Sequence, residues 1–387
     1  MSTLKVDTIT KADGTNSISQ DAIITTSSPQ LGRRNLIING AMQVAQRGTS
    51  FTANGSFVAD RFRVYRSVAA GYTCTQADIT SGDPFDLGFR SSVKMQNTTP
   101  DTASTSYYQV ETTLEDQDMA TSGWNYKSAS SNVTFSFWAK ASVSQDYWVV
   151  IRASGTQHFG FSYPLVADTW TKVTKVIPGG TNIVFDNDNS AGLRVVWIPY
   201  YGTDYTSASF VEDTWASSDE SSYTSDIDST WVSTTNATFE ITGVQLEVGS
   251  VATPFEHRSY GEELALCQRY FYSTMAARGV VGSPTTDSVQ LQGTRHQFAD
   301  VTGYRSQLVS HPVTMRNDPT VVFYNPSNSG ATGQFRLYAH NGATQDFAGF
   351  TYTKEDSIKF CGYTGVSVGS AGLSTETWVH YEVDAEL

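Results

Sequence analysis

The apolar residues of this chain fall mainly on every second position. In Val133-Thr-Phe135-Ser-Phe137-Trp-Ala139-Lys-Ala141, Val133, Phe135 and Phe137 share one face of an extended strand, with Thr134, Ser136 and Lys140 on the other. That alternation predicts a strand with one side against a core. Shorter runs of the same kind are Tyr147 to Arg152, Lys172 to Ile177 and Leu193 to Tyr200, with Pro199 marking a strand end or edge. From Ala237 the pattern runs through Phe239 and Ile241, then changes phase to Val244, Leu246 and Val248, so a bulge is expected at Thr242-Gly243.

One stretch has helical spacing instead. Ser259 and Glu262 form a capping-box pair, Glu262 and Glu263 favour a helix N-terminus, and Cys267, Phe271 and Met275 recur every fourth residue beside Leu264. A helix of about four turns is expected over 259–276. Short strands resume around Thr320 to Tyr324, Phe335 to Ala339, Ser357 to Phe360 and Thr377 to Val383. Residues 1–33 are too short and polar for a core of their own; their apolar points Leu4, Val6 and Ile9 and the turn dipeptide Asp13-Gly14 suggest a hairpin or an extended docking arm. The expected organisation is therefore an arm (1–33), a β-sandwich (34–258), a linking helix (259–276) and a second, smaller β-sandwich domain (277–387), in a mainly β chain.

Composition supports this. Of 387 residues only 16% are charged, while 45 are Ser and 48 are Thr, so polarity comes from hydroxyls rather than from Lys/Glu-rich helix surfaces. A net charge of −13 without a basic stripe argues against a nucleic-acid partner. The first twenty residues lack an apolar signal core and no run of ~18 apolar residues occurs, so neither export nor membrane insertion is expected. Cys74, Cys267 and Cys361 are too few and scattered for a disulfide framework or a Cys-based zinc site. Seven acids (Asp204, Glu212, Asp213, Asp219, Glu220, Asp226 and Asp228) lie in the stretch from Tyr201 to Thr230, which has no Lys or Arg and reads as a long insertion loop.

Catalytic and metal motifs fail on context. Gly365-Val-Ser367-Val-Gly369 matches a nucleophile elbow but is followed by a glycine-rich turn and a strand rather than a helix. Asp186-Asn-Asp188-Asn-Ser190 begins like a calcium loop, yet Ala191 and Trp197 occupy the positions that need Gly and Glu. No enzyme activity, metal or cofactor is expected. Aromatic residues make up 12% of the chain. Flat rings with polar tips suit sugars, so Trp124, Tyr126, Trp138, Tyr200, Tyr201, Trp215 and Trp231 are the candidate glycan contacts.

Several segments together resemble bacteriophage tail-fibre and structural proteins whose jelly-roll module is similar to carbohydrate-binding modules. They are Asn35-Leu-Ile-Ile-Asn-Gly-Ala-Met-Gln-Val-Ala-Gln-Arg-Gly48, Ala59-Asp-Arg-Phe62, Val133 to Ala141, Asp168-Thr-Trp-Thr-Lys172, Thr238 through Thr253-Pro-Phe-Glu256 into Leu266 to Phe271, His311 to Arg316, and Trp378 to Leu387. The resemblance implies a virion tail fibre assembled in the host cytoplasm, with a jelly-roll sandwich and a distal domain. Such a fibre contacts other virion proteins through its N-terminal arm and binds host cell-surface polysaccharide. It also implies a homo-oligomer, a trimer, for which Leu264, Cys267, Phe271 and Met275 are the candidate interface. A structural virion component without receptor contact is the alternative. Where carbohydrate-binding relatives place a calcium-ligating Asp, this chain reads Thr242 or Gly243.

Overall fold

Strands with one apolar face are stable only when two such faces meet, and the chain between Arg33 and Val248 builds two sheets that do so. The computed structural model describes residues 8–10, 17–19, 33–67, 71–274, 289–298, 301–306, 308–325, 332–339, 344–364 and 375–387. The larger sheet has seven strands in the order β14 (Trp215–Ser217), β11 (Gln157–Leu165), β10 (Gln145–Ala153), β13 (Ala191–Tyr201), β8 (Tyr107–Glu115), β5 (Phe62–Arg66) and β4 (Ser56–Ala59). The smaller has six: β12 (Thr171–Pro178), β9 (Asn132–Ala141), β15 (Ala237–Val248), β7 (Ser91–Asn97), β6 (Tyr72–Asp78) and β3 (Ser50–Phe51). Pairing is antiparallel throughout both. The inward residues, among them Phe135, Phe137, Phe161, Trp197 and Phe239, form one core between them. The sandwich expectation holds.

The expected phase change is present. The register of β15 on β9 shifts between Thr242 and Gln245, and Gly243 has φ +61. A Cβ at Gly243 would lie 2.8 Å from the Phe89 ring and 3.0 Å from Trp138, so both backbone and space demand glycine there.

The helix starts where the sequence places it, with both bonds of the Ser259/Glu262 capping box formed, but ends at Gln268 rather than near 276. Tyr270 turns the chain, and β16 (Phe271–Ser273) pairs with the last strand, β24 (Thr375–Asp384). β-Pairing thus overrides the helical spacing of Phe271. Cys267 and Tyr270 pack on Ile38 and Val44, with Leu264 beside them, and Phe271 lies under the Arg47 guanidinium, 3.5 Å from its ring centroid. Of the stripe expected to form an oligomer interface, Cys267 and Phe271 are buried within their own chain and need no second copy to cover them, while Leu264 is partly buried beside them. Met275 lies outside the described residues.

Beyond the helix, β24 also pairs with β17 (Val289–Phe298), β20 (Thr320–Tyr324) and β21 (Gln334–Ala339). Pairings of β17 with β18 (Val301–Ser306), then β23 (Ser357–Thr364), β22 (Thr344–Thr353) and back to β21 close these strands through β24. β19 (Val309–Ser310) adds to β23. Phe323, Phe335, Phe360, Val379 and Tyr381 form this second core. Near the N-terminus β1 (Thr8–Thr10) and β2 (Ser17–Ser19) make a short antiparallel pair, as a hairpin reading requires.

The two β units are joined by buried charge. Glu115, fully buried at the end of β8, accepts from Arg269 Nε at 2.7 Å, Arg269 Nη2 at 2.9 Å and Tyr270 Oη at 2.6 Å. Burial alone pushes its carboxyl up, but those hydrogen bonds outweigh it and hold it below the usual carboxylate range. Two predictions follow from the fold. Glu115→Gln, which leaves Arg269 uncompensated, should cost about 3 kcal/mol in urea unfolding at pH 7. Because the folded carboxyl titrates lower than the unfolded one, that difference is present above the ordinary carboxylate value of ~4.3 and shrinks as pH falls through the folded value. Gly243→Ala should lower stability by ~1 kcal/mol or more, whereas the same change at exposed Gly261, where an added Cβ meets nothing, should be close to neutral.

Candidate functional site

The motif from Asn35 to Gly48 turns out to be structural. Asn35 hydrogen-bonds the backbone of Val244 and Leu246, while Asn39, at φ 59, is bonded to Val44 and to the carbonyl of Asp60. Gln46 ties Asp60 to the carbonyl of Phe271. These polar groups satisfy buried backbone where the chain crosses from sandwich to helix.

Most of the aromatic residues singled out from sequence are structural too. Trp124, Trp138, Tyr200, Tyr201 and Trp231 are buried. Trp231 plugs the end of the sandwich, its Nε1 donating to Thr238 O at 3.0 Å, and Trp124 Nε1 donates to Ser131 O at 3.1 Å. Trp138 does point away from the main core, as alternation requires, but the segments carrying Ile79, Phe89 and Phe255 cover it. Tyr126 and Trp215 are half-buried: Tyr126 packs edge-on to Phe185, and Trp215 donates to Pro178 O at 2.7 Å above Phe159. None of these five buried rings offers a free face to a sugar. Alternation shows which way a ring points but not which loop lies over it.

The acidic stretch is not a bare loop. Tyr205, Phe210, Tyr223 and Ile227 fold onto Trp148, Val150, Val196, Ile198 and Tyr201, an apolar row on the outer face of the larger sheet. Gly160 on β11 makes room: a Cβ there would lie 2.7 Å from the Phe210 ring. His158, 2% exposed, lies between the Phe210 and Tyr223 rings, and the Tyr223 hydroxyl has no partner among the described residues.

This insertion divides the outer face in two. Toward the ends of β10 and β11 lies a cleft of about 540 Å³ lined by Asp146, Trp148, Ser162, Glu212, Asp226 and Asp228, with no basic residue. Across β10, β13, β8 and β5 lies a strip of half-buried side chains. Register sets Arg152 opposite Arg194 and Arg63 opposite Glu111, with Tyr65 opposite Gln109. Arg194 Nε lies 3.9 Å from Glu111, Gln109 donates to Glu111 at 3.1 Å, and Tyr201 donates to Gln109. Burial pushes the Glu111 carboxyl above its usual range, against the pull of Arg194, Arg63 and Arg152. The Arg63 guanidinium stacks 4.5 Å from the Tyr65 ring centroid, and Tyr107 closes the strip against Tyr201 and Tyr205. Planar guanidinia, phenol rings and one amide side by side can stack on a sugar and hydrogen-bond its hydroxyls.

A further cleft of about 400 Å³ on the smaller sheet is lined by Asp78, Asp83, Lys140, Asp168, Trp170 and Glu240. It has one ring, Trp170, engaged by Lys140 Nζ at 4.8 Å, which also pairs with Glu240 at 3.2 Å, whereas the outer face of the larger sheet sets several rings beside three guanidinia.

None of the strip residues Arg63, Tyr65, Gln109, Arg152 and Arg194 was a sequence-level candidate. Arg152 and Arg194 occupy outward positions of strands recognised by their inward residues, Arg63, Tyr65 and Gln109 lie on strands the sequence pattern did not single out, and only the pairing of strands far apart in sequence brings them together. Among the described residues no group of His, Cys, Asp and Glu is arranged to hold a metal ion, and no helix is long and apolar enough to cross a membrane. The Gly365 to Gly369 motif lies outside the described residues.

The fold and this surface define a mainly β jelly-roll protein with a polar, aromatic sheet face. No family model matches the sequence, and no curated protein matches it. Among solved structures it is similar, over 56% of its length, to the enzymatically active domain of tailspike protein 4 of bacteriophage CBA120, at 12% identity and TM-score 0.31, covering 22% of that chain. It is similar over 53% of its length to the family 11 carbohydrate-binding module of Clostridium thermocellum, solved with a β-1,3-1,4-mixed-linked tetrasaccharide, at 10% identity, TM-score 0.27 and 99% of that chain. TmCBM61, solved with β-1,4-galactotriose, is similar over 56% of this chain and 99% of its own, at 8% identity and TM-score 0.28.

The covered histidine generates a prediction. Burial first, then the Arg152 charge, against a weaker pull from Asp219, hold His158 below its usual range, so it stays neutral in the folded state. The unfolded histidine takes up a proton near pH 6.5 and the folded one only lower, so the insertion should lose stability as pH falls below about 6.5. Hydrogen exchange of residues 203–228, corrected for intrinsic rate, should show less protection at pH 5.5 than at 7.5. His158→Phe should abolish the difference; equal protection in the wild type at both values contradicts the account.

Proposed function

We propose that this chain is a non-enzymatic component of a phage virion, a tail fibre or fibre-like subunit, that binds bacterial surface glycan through the outer face of its larger sheet. The observation that carries the reading is the strip of Arg63, Tyr65, Gln109, Arg152 and Arg194, which is half-buried, aromatic and polar, and walled on one side by the folded insertion. Core-facing residues carry most of the packing of these strands, while the strip lies on their outer side. The virion assignment rests on the sequence motifs, and the N-terminal β1–β2 pair is the segment proposed to dock on the particle. Assembly as a trimer belongs to the same reading and now requires a surface other than the helix stripe.

The test is binding of the purified chain to cell-surface polysaccharide in affinity electrophoresis, with competition against adsorption of the particle. Tyr65→Ala, which breaks no hydrogen bond among the described residues, should weaken binding about tenfold or more while leaving unfolding unchanged within ~1 kcal/mol. A protein that assembles into particles yet retains no affinity for any host polysaccharide is instead a structural component.

A further inference from the structure

The strip has more positive charge than its own neighbours neutralise. Arg152 and Arg194 are direct cross-strand partners on adjacent antiparallel strands. Like charges so placed, with Cβ atoms ~5 Å apart, repel and destabilise the pair. Arg63 on β5 is the cross-strand partner of Glu111 on β8, and among the described residues Glu111 is the one carboxylate that ion-pairs within the strip, at 3.9 Å from Arg194. Arg63 spends its Nε on Gly55 O at 2.9 Å. The Arg152 guanidinium lies 4.8 Å from the Tyr223 ring, and neither it nor that of Arg194 donates a hydrogen bond to a described residue. Three guanidinia thus share one carboxylate, with two forks of donors left open, and the Arg194 side chain is 35% exposed.

Resting on the glycan-binding reading above, we infer that this face selects acidic saccharides, with Arg152 and Arg194 receiving the anionic group of a sugar while Tyr65, Tyr107 and Gln109 contact the ring and its hydroxyls. A guanidinium fork matches the oxygens of a carboxylate or a phosphate, and a bound anion removes the Arg152–Arg194 repulsion that the free protein carries. The surroundings limit how much charge is welcome. The insertion beside the strip brings Asp204, Asp219 and Glu220, all exposed, and the chain as a whole carries −13. A saccharide with one acid per few sugars fits between these acids, and a dense polyanion such as nucleic acid is repelled by them.

The experiment uses the full chain on a printed array of bacterial glycans, followed by calorimetry with the strongest ligand. The expected bound set is dominated by acid-bearing glycans. Carboxyl reduction of a uronate ligand, or enzymatic dephosphorylation of a phosphate-bearing one, should weaken binding about tenfold or more, and which treatment does so identifies the source of the anion. Arg152→Gln with Arg194→Gln should remove the preference for the acidic form. This variant relieves a like-charge pair but also takes two cations from buried Glu111, so its unfolding is measured alongside its binding. The comparison of native and reduced glycan on the unaltered protein stands whether or not the variant folds. A bound set of neutral glycans, or equal affinity for native and neutralised ligand, overturns acid selectivity and leaves glycan binding in place. No binding to any glycan overturns both.

Discussion

The arrangement of this molecule depends on a few buried charges that tie the end of the chain to the sandwich. Glu115, at the end of a central strand, accepts from both Arg269 and Tyr270 just where the helix turns into β16. Arg61, 3% exposed, pairs with Glu386 and lies 3.4 Å from the Tyr270 ring centroid, and Arg47 reaches Glu386 at 3.3 Å. Arg316 then donates to the carbonyls of Ala385, Glu386 and Asn189. A charge buried with one partner missing is costly, so these groups are satisfied together or not at all. That makes the turn at Arg269-Tyr270 a fixed joint. It also explains why the helix stops at Gln268: prolonging it would pull Tyr270 off Glu115 and Phe271 off β24.

The sequence pattern therefore revealed the local rules and missed the global ones. Strand alternation, the Ser259 cap and the Thr242-Gly243 phase change are effects of neighbours along the chain, and all were legible. The helix end was not, because the competitor for Phe271 is Asp384, more than a hundred residues away. The same limit explains the aromatic candidates. A ring such as Trp138 can be assigned to the outer side of a strand by counting, but the loops bearing Phe89 and Phe255 that cover it are recruited by tertiary packing. Conversely Arg152 and Arg194 look like unrelated polar positions on two strands until the register sets them side by side.

Legibility was also limited at the insertion. Its acids and lack of bases suggested solvated loop, and the acids are indeed exposed, yet the chain carrying them is pinned by Phe210 and Tyr223. A segment can be polar by count and still fold if a few rings find a receptive face. Here that face is supplied by Trp148 and Ile198, and the gap for Phe210 by Gly160. The cost is local: His158 is buried between two rings, and the Tyr223 hydroxyl is buried without a partner among the described residues. Unsatisfied groups of this kind weaken the contact that contains them, so the insertion is held less firmly than the sandwich beneath it.

Net charge, which first argued against any anionic partner, acts at a different range from the strip. At physiological salt the field of exposed acids is screened within ~8 Å, so the −13 of the whole chain governs approach more than contact. Arg63, Arg152 and Arg194 sit half-buried on a sheet, where screening is weaker and a guanidinium fork can close on an anion directly. The summed charge of a β protein with one acidic insertion is thus a poor guide to the chemistry of its faces. Removing the seven acids between 204 and 228 brings the balance to −6, so more than half of the excess negative charge belongs to one insertion, while the open guanidinia belong to the strands beside it.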